Sequence, residues 1–411
     1  MEAWEQAVLV AALGAGAKAL ETVLSGIGSG RRSSPVRCAC GTTMRSVGLR
    51  DKVVVTALGP VNYRRSLFVC PSCGTSRFPG DRAMDMEHTG FSPGVRRMMA
   101  RAGARGSFVE AEEDLRVYAH VAVDRRDIER VAEDVGRQIE ARTSQRSGDA
   151  PAVPVMYVSY DGTAAPMRKS ELKGRRGKRT GEDAKGREVK VGCVFTQTTV
   201  DEDGFAVRDE HSTTYVAGIE SSTFFGERIY AEAVVRGIEH ARRVVVLSDG
   251  AAYNKTIAQT HFHGALHIID LYHAREHLTA LGVTLRLQSS RLTSWKDLLD
   301  AGEVEVLCRA AREFLPRSGA RRLLATKQIR YFEKNAERMR YAAYRAQGLF
   351  VGSGVVEAGC RSVVGLRCKK PGMFWSRSGA HAILQTRCSL LSRRYDADWD
   401  DRAYERTQPA A

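Results

Sequence analysis

The stretch from residue 155 to residue 271 constrains the fold most, because its elements follow one another in a restrictive order. Val155 to Tyr160, Glu188 to Thr199 and Ser212 to Ala217 read as three strands in succession. Phe224 to His240 then reads as a helix, Arg243 to Leu247 as a strand, Ala252 to His261 as a helix and Leu266 to Leu271 as a strand. Consecutive strands can pair antiparallel, whereas strands separated by a helix run parallel. The expected core is therefore α/β with a mixed sheet rather than a doubly wound one.

Three carboxylates stand in short signatures on this frame. Asp161 lies in Val-Ser-Tyr-Asp-Gly-Thr, Asp249 in Val-Leu-Ser-Asp-Gly-Ala, and Glu357 in Gly-Ser-Gly-Val-Val-Glu-Ala-Gly-Cys. The two aspartates follow strand-like runs and meet a glycine. They become neighbours if the first and fourth strands pair at the sheet centre. Glu357 falls in the first turn of a helix that Ser353 can cap, where the helix dipole favours an ionised carboxylate. Two strand-end aspartates and one helical glutamate suit a two-metal site that cleaves phosphodiesters, because hard divalent cations take oxygen ligands held on rigid elements. Arg361, one turn beyond Glu357, can pair with it or meet a phosphate. Taken singly, an Asp-Gly pair is an ordinary turn.

The charge balance points the same way. The 411 residues carry 63 Lys and Arg against 48 Asp and Glu, a net charge of +15. That excess fits a polyanionic partner such as nucleic acid, or a proteome rich in arginine. Ten of the basic residues crowd between Arg168 and Lys190, among them Lys173, Arg175, Arg176, Lys178 and Arg179. This segment reads as a loop that contacts DNA or is merely solvated. The apolar run Ala7 to Ala17 falls short of the roughly 20 residues that span a bilayer, and Glu2 and Glu5 precede it. No membrane partner is expected, and the location expected is cytoplasmic, on the nucleoid.

Disulfides are disfavoured there, so the nine cysteines need another account. Cys38-Ala39-Cys40-Gly41 and Cys70-Pro71-Ser72-Cys73-Gly74 form two turns that can set four thiolates around structural Zn²⁺; the alternative is four free thiols. Strands over Lys52 to Leu58 and Val61 to Val69 lie between the pairs, the pattern of a zinc ribbon. Residues 90–143 read as helical, with Asp124 as a cap and Arg125 and Arg126 opening the second helix. That fits a DNA-binding helix-turn-helix or a plain helical hairpin.

The expected organisation is a helix and tether (1–34), a zinc ribbon (35–80), a helical DNA-binding region (81–150), a first core part (151–273), a helical insertion (274–350) and a last segment with the third acid and a tail (351–411). In the insertion, Trp295, Leu298, Leu299, Phe314 and Leu315 can bury one face.

Tyr-Asp-Gly-Thr, Gly-Arg-Glu-Val-Lys-Val-Gly-Cys-Val-Phe, Leu-Ser-Asp-Gly-Ala, Ile-Asp-Leu-Tyr-His-Ala-Arg-Glu-His-Leu, Gly-Ser-Gly-Val-Val-Glu-Ala-Gly-Cys and Gly-Met-Phe-Trp-Ser together resemble the bacterial insertion-sequence transposases of the ISKra group, over about residues 35–395. Tyr253 stands where that pattern has tryptophan. The resemblance implies a DDE nuclease core of ribonuclease-H-like fold, interrupted by a helical insertion. It implies Asp161, Asp249 and Glu357 as ligands of catalytic Mg²⁺ or Mn²⁺, and double-stranded DNA, both element ends and target, as substrate. A homo-oligomer is expected, since two ends must be brought together. Asp270 and His273 resemble the small motif such enzymes carry after the second aspartate; His273 then orients toward a phosphate, or the pair is a helix cap and a core histidine. Trp375 stacks on a base or packs in the core. The rival functions are a domesticated DNA-binding regulator with an inactive core, and a metal-dependent nuclease without strand transfer.

Overall fold

The computed structural model describes residues 1–28, 35–143, 146, 150–177 and 183–407. The expected tether at 29–34, residues 144, 145 and 147–149, and Lys178 and Arg179 lie outside the described residues. The chain is mixed α/β and divides into two compact units, Met1–Glu140 with Arg393–Ala411, and Ala141–Ser392.

In the first unit, β1 (Arg45–Thr56) and β2 (Gly59–Val69) form an antiparallel hairpin, and β3 (Ser76–Arg77) adds to β2. Asp81 is buried beneath it, where it accepts from Tyr63 Oη at 2.6 Å and pairs with Lys52 Nζ at 2.9 Å and with Arg65. A buried carboxylate with three donors is satisfied rather than stranded. Three helices follow, Pro93–Arg105, Phe108–Tyr118 and Arg125–Thr143, where the sequence pattern had indicated two. They close on Gly103, at which any Cβ would press on Ile128, Ala132 and Phe108. Asp124 does accept from Arg126 N, at 2.7 Å. The C-terminal helix Tyr395–Thr407 belongs to this unit, not to the 351–411 segment: Tyr395 Oη donates to the Arg97 carbonyl and Asp396 pairs with Arg97 at 2.6 Å.

The first helix runs Glu2–Gly28, as expected of one helix ahead of a tether, but its apolar span departs from the sequence reading, which confined the apolar run to Ala7–Ala17. Over Glu2–Ile27 it is long and apolar enough to cross a membrane by length and composition, with a mean hydropathy of 1.6 in its most apolar window.

In the second unit a five-stranded sheet has the order β10-β9-β4-β5-β8. To define these, β4 is Val155–Pro166, β5 Gly186–Gln197, β8 Thr214–Gly218, β9 Arg243–Ser248 and β10 Leu266–Ile269; β6 (Thr199–Val200) and β7 (Ala206–Val207) make a separate small hairpin. β4 pairs antiparallel with β5 and parallel with β9; β5 and β8 are antiparallel, β9 and β10 parallel. The sheet is mixed, as the element order required. Side chains alternate along β4. Met156, Val158 and Tyr160 face the helices Ser222–Val235 and Ala252–His261, burying Phe225, Ile229 and Ile257. Tyr157 lies on the opposite face, stacked on Phe195 at 4.8 Å with Phe350 edge-on. Five helices, from Ser289 to Ala346 and preceded by Leu271–Leu285, separate β10 from the Gly354–Gly359 helix. Trp295 and Leu299 are buried there, while Phe314 stays exposed and meets Trp295 edge-on at 5.9 Å.

Candidate functional site

Asp161 and Asp249 are neighbours because β4 and β9 are. The parallel register aligns Tyr160 with Ser248, so the next residue on each strand is an aspartate. Asp161 is not at a strand end, as the sequence had indicated: β4 continues to Pro166 against β5, so Asp161-Gly162 lies within a ladder rather than in a turn. A Cβ at Gly162 would meet Glu188 Oε1 at 2.6 Å, so a side chain there would displace the Glu188 carboxylate. Oδ1 of Asp161 accepts from Gly162 N at 2.6 Å, and Oδ2 faces the Cys360 thiol at 3.8 Å. Oδ1 of Asp249 accepts from Ala251 N at 2.9 Å and from the buried Asn254 amide.

Asp270 is fully buried at the start of the Leu271–Leu285 helix. Its Oδ1 accepts from His273 N at 2.6 Å and lies 3.3 Å from His273 Nδ1; its Oδ2 accepts from Ser353 N. Leu271 N donates to the Val351 carbonyl at 3.0 Å. The chain returning from the insertion is thus pinned to the end of β10, and this sets the place of the Gly354–Gly359 helix. Ser353 does not cap that helix with its side chain, because its backbone is not extended; its hydroxyl donates instead to Glu357 Oε1 at 3.0 Å. Glu357 is exposed, and a π-turn over Cys360–Gly365 follows it. Arg361 is exposed and makes no ion pair with Glu357 among the described residues.

These groups feel one another. Burial pushes the Asp161 carboxyl above its usual range, and Asp249 and Glu357 push it the same way, while His273 opposes them. His273 is raised to about 9, first by its hydrogen bond to Asp270 and then, against burial, by the charges of Asp270, Asp161 and Asp249. Burial and Asp161 push the Cys360 thiol up to about 12. Like charges gathered half-buried in this way are relieved by a bound cation. Ligand atoms of Asp270, His273 and Glu357 lie within 4.8 Å of one another and could hold a metal. Both Asp270 oxygens are already committed to backbone N–H groups, however. Oδ2 of Asp249 has no hydrogen-bond partner among the described residues, and Asp161 Oδ2 has only the weak thiol contact.

The second candidate metal centre is in the first unit. The Sγ atoms of Cys38, Cys40, Cys70 and Cys73 lie within 4.8 Å of one another, with Cys38–Cys73 and Cys40–Cys70 at 3.5 Å. Gly41 and Gly74 close the two turns with φ of +85° and +72°, which a side chain would strain. Their amides donate back to the Cys38 and Cys70 carbonyls at 3.0 Å. Thr42, through its backbone and side chain, lowers Cys40 to about 6, and the Thr75 hydroxyl lowers Cys73. Four sulfurs this close, two of them biased to thiolate, fit a tetrahedral metal.

Among the other residues singled out from the sequence, Lys173, Arg175 and Arg176 are exposed on the loop between β4 and β5, and Arg125 and Arg126 are exposed at a helix start. The basic segment is shorter than expected, since Gly186 to Lys190 belong to β5. Of its two readings, Trp375 follows the core one rather than base stacking. It is 6% exposed, its indole donates to the Cys368 carbonyl at 3.0 Å and Arg367 lies over its ring, so it offers no face to a base.

Sequence reasoning missed Asn254, Tyr331 and Arg338. Asn254 carried the one legible signal, a helix position five residues beyond Asp249. Tyr331 and Arg338 come from the insertion and carry none. Arg338 Nη1 donates to His267 Nδ1 at 3.3 Å, and His267 Nε2 meets Ser248 Oγ at 2.9 Å. Burial, then Arg338, lowers His267 to about 3 from an ordinary 6.5. The unfolded chain therefore takes up a proton below pH 6.5 that the folded chain refuses until about pH 3. Stability from this group is present above pH 6.5 and is lost as pH falls toward 3. Urea denaturation should show wild type losing ground to His267→Gln across that window, by at most about 1.4 kcal/mol per pH unit. A constant difference between the two would contradict the neutral assignment.

No family model matches the chain, and no curated protein matches it. Among solved structures it matches the Drosophila P element transposase strand transfer complex with a TM-score of 0.26 and 10% identity, over 79% of this chain and 83% of that chain. A superposition this loose carries no argument about fold or function.

Proposed function

We propose that the protein is a DDE transposase that cuts and joins DNA at the ends of a mobile element. The observation that carries this reading is that Asp161 on β4 and Asp249 at the end of β9 lie side by side, and that Glu357, on a helix after a long insertion, acts electrostatically on the Asp161 carboxyl. Three supports stand beside it: the ISKra-group resemblance of the signatures around those acids, the net charge of +15, and a mixed sheet, β10-β9-β4-β5-β8 with only β5 reversed, compatible with the ribonuclease-H-like fold that the resemblance implies.

In this reading Asp161, Asp249 and Glu357 hold Mg²⁺ or Mn²⁺ through the oxygens that the fold leaves uncommitted. Divalent ions held there would supply Lewis acidity and an activated water. Asp270 positions the Glu357 helix, and Asn254 orients Asp249. His273, held charged by Asp270, sits where it can meet a phosphate oxygen. The freed 3′-hydroxyl would attack target DNA at the same acids, with two copies of the chain holding two ends. Lys173, Arg175, Arg176, Lys178 and Arg179, with Arg125, Arg126 and Arg361, are assigned to the DNA backbone. The four cysteines are assigned structural Zn²⁺. Incubation with DNA bearing the sequences that flank the gene, in Mg²⁺, followed by mapping of strand ends, tests the reading. Discrete cuts at element termini are expected; intact DNA under all divalent ions would leave the regulator reading in place.

Purified protein should contain about one zinc per chain by elemental analysis, and the Cys70→Ser/Cys73→Ser variant none, because two thiolates do not close a tetrahedral site. Metal-free wild-type protein prepared without chelator would overturn the assignment.

A further inference from the structure

We propose that one face of the Ala320–Asn335 helix, in the insertion, is a track for a nucleic-acid strand that ends at the acidic cluster; this rests on the nuclease reading above and gives the insertion a task. A groove of about 400 Å³ runs along this helix, lined by Leu323, Thr326, Lys327, Arg330, Tyr331 and Lys334. Lys327, Arg330 and Lys334 recur at helical spacing on one exposed face.

Their charges are uncommitted. Three arginines elsewhere in the same helical segment are paired with acids: Arg312 with Glu333 at 2.6 Å, Arg340 with Glu305 at 2.5 Å, and Arg275 with Asp300. Among the described residues, Lys327, Arg330 and Lys334 make no ion pair. Seven residues of helix span about 10 Å, the length of about three phosphates along one strand at roughly 3.4 Å each. Three cations face three phosphates.

Tyr331 joins this groove to the site. It lines the groove, and its ring lies against Gly250, where a Cβ would overlap it; Gly250 directly follows Asp249. The ring is held from behind by His277, stacked at 3.8 Å, itself fixed by Gln328 at 2.7 Å. Its hydroxyl is buried with no hydrogen-bond partner, a polar group placed beside the acids and still unsatisfied. Tyr331 lies between Arg330 and Lys334 along the helix, so a strand lying on the cations passes Tyr331 and there reaches Gly250 and Asp249.

The test uses the full chain and a fluorescein-labelled DNA duplex of arbitrary sequence. Lys327→Gln/Arg330→Gln/Lys334→Gln should flatten the slope of log Kd against log salt by about 2 to 3, since each lost phosphate contact removes about 0.9. Arg309→Gln/Arg317→Gln, on exposed residues of the insertion outside the groove, should leave it unchanged. Both variants should keep the wild-type denaturation midpoint, as all these side chains are on the surface; the single Arg330→Gln, with a slope change of about 1, serves if the triple variant does not. In cleavage of terminal DNA the triple variant should raise KM at least tenfold with kcat retained. A wild-type slope overturns the track, and so does a slope reduced equally by the control. If wild type cuts no DNA, the nuclease reading fails while the slope still decides the track; if wild type cuts and the triple variant matches it in slope and KM, the track alone falls.

Discussion

Cleavage of terminal DNA should fall by on the order of a thousandfold or more in each of Asp161→Asn, Asp249→Asn and Glu357→Gln, while DNA affinity without metal holds or rises slightly. The substitutions keep shape and remove charge, and the loss of one major electrostatic contributor costs about that much. Asp161 illustrates why: burial, then Asp249 and Glu357, push its carboxyl up against the Gly162 N–H and His273, so a cation beside it would favour its ionised form. Neutralising any one of the three reduces the charge available to hold two divalent ions. Mn²⁺ should restore part of the activity, because it tolerates poorer geometry than Mg²⁺. A strand-cleavage assay on each single variant decides. Wild-type cutting by Glu357→Gln would move the third ligand to Asp270 or Glu276, and wild-type cutting by all three would end the transposase reading.

Asp270→Ala should lower stability by about 3 kcal/mol or more, the range for removing one partner of a buried, hydrogen-bonded charge. Asp270 is 0% exposed and takes hydrogen bonds from Ser353 N and His273 N, so its loss strands two backbone donors and the His273 ring. The Glu357 helix loses its pin to the end of β10, and cleavage should fall with stability. Asp270→Asn, which keeps one acceptor, should recover much of the stability. Urea denaturation of the two variants beside the cleavage assay separates two roles. A positioning residue loses both properties together. If Asp270→Ala keeps wild-type stability and loses only cleavage, Asp270 is a metal ligand rather than an anchor.

What the sequence determined by itself was local or periodic. The order of strands and helices between residues 155 and 271 dictated a mixed sheet, because helix-linked strands run parallel and consecutive strands fold back. The two cysteine turns announced a four-sulfur cluster, because glycine after each pair allows the positive φ that turns the chain. The aspartates at 161 and 249 were legible as strand-end acids that become neighbours if the first and fourth strands pair, and the structure pairs them. The tertiary structure decided the rest. Trp375 read as a stacking residue or, more readily, as core, and packing against Arg367 and Cys368 put it inside. Ser353 read as a cap, and only the bend enforced by Asp270 turned its hydroxyl to Glu357. The C-terminal helix read as an appendage of the last core segment, and contacts of Tyr395 and Asp396 with Arg97 gave it to the other unit. Tyr331 had no signature at all, because its place beside Asp249 depends on how far the insertion folds back, and no local pattern of residues records a contact made across eighty positions of chain.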